Sequence, residues 1–184
     1  MKRAVTTMQA LISDLLDLEQ SNADVLRIEP APVSSGDLVR DALDAYATLA
    51  DAAGVVLRAA GVVEVDVNVD RRRVHQVLAN LIGNALKVSA RGAAITIAVV
   101  QETDALRISV SDQGPGIAPE DQRRVFEPFF TKDVGGVVGT GLGLTISKRI
   151  IDASGGRIGV ESVPPDGATF WFTLPRLVRP PTDR

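Results

Sequence analysis

Asn80, Asn84 and Lys87 stand at i, i+4 and i+7 of a segment with helical apolar spacing, so two carboxamides and an ammonium share one helical face. Asparagine competes with the helix backbone for hydrogen bonds, so two of them inside an apolar helix ask for a role. A carboxamide oxygen is a hard, neutral ligand that suits Mg²⁺, and a lysine beside it can meet phosphate oxygens. A solvated polar stripe is the plainer alternative. The second cluster is Asp112-Gln113-Gly114-Pro115-Gly116-Ile117, after an alternating apolar run. Its glycines let backbone approach a flat ligand, and an aspartate at a strand end can accept from an exocyclic amine. A Gly-Pro turn with an Asx cap uses the same residues. The third is Gly135-Gly136-Val137-Val138-Gly139-Thr140-Gly141-Leu142-Gly143-Leu144, which leads into the helical pattern of Ile146, Ile150 and Ile151. A helix start offers orphan amides and the positive end of the dipole to an anion. A flexible linker is its alternative, although linkers rarely run straight into such a helix. No lysine follows these glycines as in a GxxxxGK[ST] loop, and GxGxG after an irregular segment is not the dinucleotide fingerprint.

Composition removes most other chemistries. With no cysteine there is no disulfide framework, thiolate metal site or Cys nucleophile, and one histidine, His75, leaves no multi-His cluster. A formal charge of −3 gives no reason to expect a nucleic-acid partner. No apolar run approaches the roughly 20 residues that cross a bilayer. The basic Met1-Lys2-Arg3 does not open a signal peptide, because Asp14 and Asp17 break the apolar stretch after it. The chain is expected in the cytoplasm, whether or not a parent protein carries a membrane anchor.

Something must hold these clusters in place. Residues 1–29 read as one amphipathic helix with Met8, Leu11, Leu15 and Leu18 at heptad spacing, ended by Glu29-Pro30-Ala31-Pro32, where a hinge is expected. Ser34 or Ser35 caps a helix to about residue 53, with Leu38, Val39, Ala42, Leu43, Tyr46 and Leu49 inward. Strands are expected over 55–58 and 62–69, the second alternating Val63, Val65, Val67 and Val69 with polar residues. Asp70 caps a helix to about Val88, buried through Val74, Val77, Leu78, Leu81, Ile82 and Ala85. Strands over 94–102 and 105–111, a short helix over 119–125, a helix over 143–154 and strands over 157–162 and 168–174 complete the pattern. Residues 176–184 read as a disordered tail. Paired strands between helices predict an α+β fold, a mixed and mainly antiparallel sheet covered by helices on one face.

As an ordered set these motifs resemble the catalytic, ATP-binding domain of sensor histidine kinases, in the superfamily shared with gyrase, mismatch-repair and heat-shock chaperone ATPases. Residues 80–87 resemble the asparagine box, 112–116 the first glycine box, Phe126-Glu127-Pro128-Phe129-Phe130 the phenylalanine box and 139–144 the second glycine box. Gly155-Gly156-Arg157-Ile158 and Gly167-Ala168-Thr169-Phe170 also match, so the resemblance spans about 33–174. It implies a two-layer α/β sandwich of the Bergerat type over 30–175, with ATP and Mg²⁺ as cofactors. By this resemblance Asn84 coordinates the metal, Asn80 lies near its waters or the phosphates, and Lys87 meets a phosphate. Asp112 accepts from adenine, Gly114, Gly116 and Ile117 shape the base pocket, and Thr169 sits near the base. Residues 127–143 form a mobile lid whose start is anchored by Phe126, Phe129 and Phe130. Lys132 adds a phosphate contact, and Gly139, Thr140, Gly141, Leu142, Gly143 and Leu144 wrap the phosphates. Val88 stands where the family usually packs an aromatic on adenine, which offers less stacking area.

Residues 1–29 resemble only the second helix of a dimerisation and histidine-phosphotransfer hairpin. His75 fits no phosphoacceptor motif and reads as an ordinary helix histidine, since nothing in the sequence places an acid beside it. The expected activity is therefore transfer of the γ-phosphoryl of Mg·ATP to a histidine outside this chain. The implied partners are a phosphotransfer domain carrying that histidine and a response-regulator receiver domain, with homodimerisation of the full-length protein and no nucleic acid. Two other functions compete. A hydrolytic ATPase switch needs a glutamate where Asn80 stands, and a degenerate ADP- or ATP-sensing scaffold needs only the fold.

Overall fold

In the computed structural model, residues 27–132 and 139–176 are described. The helix expected over 1–29 lies almost wholly outside them, and residues 27–29 are not helical. There the Glu29 amide already donates to Asp70 Oδ2 at 3.2 Å, ahead of an extended strand. That strand, β1 (Ala31–Ser34), replaces the expected hinge. It pairs antiparallel with β3 (Asp66–Val69) in a separate two-stranded sheet, where an edge position tolerates Pro32.

Helix α1 (Ser35–Ala53) is capped by Ser34, whose hydroxyl accepts from the Gly36 amide at 3.2 Å. Leu38, Val39 and Ala42 are buried, but Leu49 is exposed and Ala50 takes its place. Gly54, in the left-handed region, turns the chain back so that Val55 donates to the Ala50 carbonyl, and buried Val55 arrives over Ala50 rather than Leu49. Strand β2 (Val56–Val62) runs parallel to β4 (Ala94–Gln101), joined by β3 and helix α2 (Arg71–Val88). Strand β5 (Ala105–Ser111), helix α3 (Gly143–Ala153), β6 (Ile158–Ser162) and β7 (Ala168–Pro175) complete a five-stranded sheet of order β2-β4-β5-β7-β6. Its other neighbouring pairs are antiparallel, so the sheet is mixed and mainly antiparallel as expected.

Two further local expectations fail. The alternating run over 62–69 is not one strand: Ser35 inserts there, its hydroxyl donating to Val63 O at 2.7 Å and accepting from Val65 N at 3.0 Å, while its amide donates to Val65 O. The short helix over 119–125 is instead a turn followed by one 3₁₀ turn (Arg124–Phe126).

One face of the sheet, through Ile95, Ile97, Val99, Leu106, Ile108, Val110, Phe172 and Leu174, packs on α2 and α3. All six apolar residues expected to line α2 are buried, as are Ile146, Ile150 and Ile151 of α3. Burying side chains of this size stabilises the fold by about 1.5–3 kcal/mol each, which fixes α2 and α3 against the sheet. Asp70 caps α2 by accepting from Arg73 N at 3.1 Å. Asp41 of α1 meets His75 Nε2 at 3.0 Å and the Arg71 guanidinium, so His75 does have an acidic neighbour. Hydrogen bonding from Arg71 holds the Asp41 carboxyl below its usual range. Among the described residues no helix is long and apolar enough to cross a membrane.

Candidate functional site

Between α2, the end of β5 and the start of α3 lies a cavity of about 660 Å³. Asn80, Asn84 and Lys87 line it from α2, and Lys87 Nζ approaches Asn84 Oδ1 at 3.4 Å. Asn80 Nδ2 donates to Gly143 O at 3.0 Å and to Ser147 Oγ at 3.1 Å. Its amide nitrogen is therefore committed to α3, which leaves Oδ1 as the atom available to a ligand. A Cβ on Gly139 would stand 3.7 Å from Lys87 Nζ, so the glycine segment passes beside the ammonium. Thr140, Gly141, Gly143 and Leu144 line the same wall. The amides of α3's first turn lack helical partners, so they favour negative charge at this end of the cavity. Gly141 has φ +72°, and a Cβ there would come within 2.6 Å of the Phe129 backbone; the Phe129 amide donates to Gly141 O at 3.0 Å. Only glycine fits that contact.

At the other end Asp112 is buried, one carboxylate oxygen accepting from Gly114 N at 2.8 Å and its own amide donating to Ala168 O. Burial pushes its carboxyl above the usual range, with backbone hydrogen bonds from Gly114 and Ala168 offsetting part of that. Val88, Pro115, Gly116, Ile117, Ala168 and Phe170 supply apolar walls around it. Ser162 Oγ accepts from the Ile117 amide at 2.9 Å and donates to Gly167 O at 2.5 Å, which ties this loop to the β6–β7 turn. One end of the cavity is thus an apolar slot with one carboxylate, the other a rim of amides, carboxamide and lysine.

Three expected site residues stand off the wall. Gly114 lies behind Asp112, and a Cβ there would meet Val88 Cγ2 at 2.7 Å. Leu142 is buried in the core and its amide donates to Thr140 Oγ1 at 3.3 Å. Thr169 sits between Ala168 and Phe170 on β7, so strand alternation turns it to the other sheet face, where its hydroxyl meets Ser111 Oγ at 2.9 Å. Of the phenylalanines, Phe126 packs edge-on against Phe170 with ring centroids 6.4 Å apart, and Phe130 lines the cavity under Arg124. Phe129 is exposed with φ +62°; its backbone, not its ring, holds the segment. Residues 133–138 of the expected lid lie outside the described residues.

The structure also brings in residues that no sequence motif singled out: Ala79, Ala118, Asp121 and Val125. Asp121 is buried on the wall and forms an ion pair with Lys132. Among the described residues no three acidic or histidine side chains cluster as a metal cage. Asn84 offers one neutral oxygen beside a lysine, a donor set too poor to hold Mg²⁺ unaided but fitted to one that brings phosphate oxygens and waters with it.

A two-layer α/β domain with a cleft that is apolar at one end and rimmed by amides, a carboxamide and a lysine at the other is the architecture of a nucleotide-binding ATPase. Residues 69–178 match the family described as histidine kinase-, DNA gyrase B-, and HSP90-like ATPase, and the chain belongs to it. It is 33% identical over 182 residues to the sensor histidine kinase GacS of Pseudomonas protegens, a match covering 94% of this chain and 20% of that protein. Full-length ShkA in complex with AMPPNP superposes with a TM-score of 0.83 at 31% identity, over 92% of this chain and 36% of that one. Histidine kinase ThkA in complex with response regulator protein TrrA gives a TM-score of 0.78 at 25% identity, over 95% of this chain and 49% of that one. The chain therefore spans only a part of these relatives.

Proposed function

We propose that this chain binds Mg·ATP and presents its γ-phosphoryl group to a histidine imidazole on a separate phosphotransfer domain, for onward passage to a response-regulator receiver domain. The observation that carries this reading is the convergence of Asn84, Lys87, Asp112 and the Gly139–Gly143 segment on one cavity. Asp112 accepts from the adenine amino group, and the apolar slot around Val88 and Ile117 holds the base. Lys87, the amides at the start of α3 and Lys132 receive the phosphates. Mg²⁺, held by Asn84, supplies charge neutralisation of the phosphate oxygens when bound.

Catalysis on this reading is positioning and electrostatic stabilisation, because no side chain here serves as nucleophile. Hydrolysis is disfavoured by chemistry at Asn80, whose amide cannot take a proton from water and whose Nδ2 is already bonded to α3. The AMPPNP held by ShkA and the response regulator bound to ThkA support the nucleotide and the receiver-domain partner respectively. As in the family, the full-length protein is taken to be a homodimer.

Two measurements test the reading. Calorimetric titration with ATP is expected to show binding that strengthens with Mg²⁺. Incubation with γ-labelled ATP and a separately produced phosphotransfer hairpin is expected to give acid-labile label on the hairpin only. Brisk phosphate release without any acceptor would overturn the kinase assignment in favour of an ATPase switch.

A further inference from the structure

Asp121 has no part in the reading above, yet its carboxylate is 4% exposed and lies on the cavity wall. Its backbone is fixed on both sides: its amide donates to Ala118 O and its carbonyl accepts from Val125 N, each at 2.9 Å. Lys132, its ion-pair partner, is 60% exposed and enters from the segment after Phe130. One member of the pair is buried and anchored, the other largely exposed. A second cation, Arg124, lies 3.8 Å from Asp121 Oδ1 and is shared with Glu127 Oε2 at 3.7 Å, its guanidinium over the Phe130 ring at 4.8 Å. The carboxylate therefore keeps a compensating charge even when Lys132 departs, and this lowers the cost of separating the pair.

We infer that Asp121 is an internal counter-anion that competes with the nucleotide phosphates for Lys132 and so sets nucleotide affinity. This deepens the proposed function and rests on it. Lys132 lines the same cavity as Lys87 and Gly139. Phosphate oxygens and the Asp121 carboxylate are alternative acceptors for one ammonium, and it cannot pair fully with both. Every phosphate bound then has to displace part of an existing ion pair. The pair thereby keeps Lys132 gathered at the cavity, but weakens binding of the phosphate tail. Asp112, at the base end, makes its hydrogen bonds with Gly114 and Ala168 and not with either member of the pair.

The test uses the full chain with ATP, ADP and adenosine in calorimetric titrations at fixed low salt, with thermal melts to verify folding. Asp121→Asn keeps the shape and removes the charge. It is expected to tighten ATP by about fivefold, ADP by less, and adenosine not at all, the size expected for a partly exposed ion pair. Lys132→Met is expected to weaken ATP while sparing adenosine, and to abolish the gain from Asp121→Asn in the double variant. Unchanged or weaker ATP binding in folded Asp121→Asn overturns the inference, as does an equal change for adenosine. Should Asp121→Asn not fold, Lys132→Met decides alone: ATP affinity equal to the parent chain refutes competition for that lysine. If the parent chain itself binds neither ATP nor ADP, the nucleotide reading fails instead, and the two failures are distinguishable.

Discussion

Replacing Asn80 by alanine tests how the α2 face is joined to the anion-binding helix start. Two hydrogen bonds disappear, to Gly143 O at 3.0 Å and to Ser147 Oγ at 3.1 Å. At about 1 kcal/mol net for each, the loss is about 2 kcal/mol. A larger cost is not expected, because Gly143 O keeps the Ser147 hydroxyl as donor at 2.9 Å and is not orphaned. For a domain of this size the melting temperature falls by about 4–8 °C. Asn80→Asp should cost at least as much, since it sets a carboxylate oxygen against the Gly143 carbonyl where an N–H stood. Thermal melts followed by far-UV circular dichroism, with urea titration as a second measure, read the effect. If Asn80→Ala melts within about 1 °C of the parent chain, the α2–α3 link contributes nothing and cannot be what positions the glycine segment.

Other variants address single assignments. Asn84→Ala is expected to remove the Mg²⁺-dependent gain in ATP affinity while leaving metal-free binding in place, read by calorimetry with and without EDTA; a retained metal effect excludes Asn84 as ligand. Burial raises the Asp112 carboxyl, so adenosine affinity should fall as pH drops at values above the 3.8 of an ordinary aspartate, and Asp112→Asn should flatten that profile. The sign for stability is opposite: the contribution of a raised carboxyl is fully present below 3.8 and lost as pH rises through the folded value, so Asp112→Asn should not destabilise the fold at neutral pH. Gly83→Ala should raise stability by about 0.5–1 kcal/mol in urea melts, because a Cβ there meets nothing within 4 Å.

Helix α2 was readable because every signal on it is local: an Asp cap, helical spacing of six apolar residues, and two asparagines that the spacing leaves on one face. The sheet class was readable for a similar reason, since strands paired between helices leave few topologies open. What failed depended on partners distant in sequence. The run over 62–69 alternates well enough to be one strand, and only Ser35, about thirty residues away, interrupts it. Strand β1 was hidden because Pro30 and Pro32 read as breakers, while its pairing partner is β3. Thr169 was assigned by motif, whereas the phase of β7 turns it away from the cavity. Asp121 carried a faint signal, an acid in a Pro-Glu-Asp turn, but its burial beside Lys132 is a property of the folded chain.

The small sheet of β1 and β3 also bears on where forces enter the molecule. Val69 and Val67 pair with Ala31 and Val33, Asp70 receives the Glu29 amide, and Arg176 bridges to Val67. Glu29 and Arg176 therefore lie at one pole of the domain, and Asp70 stands there at the head of α2. With a rise of 1.5 Å per residue, Asn80 to Lys87 lie about 15–25 Å further along that helix. A push or twist applied at the pole thus reaches the carboxamides through a single rigid rod, with no slack loop in between.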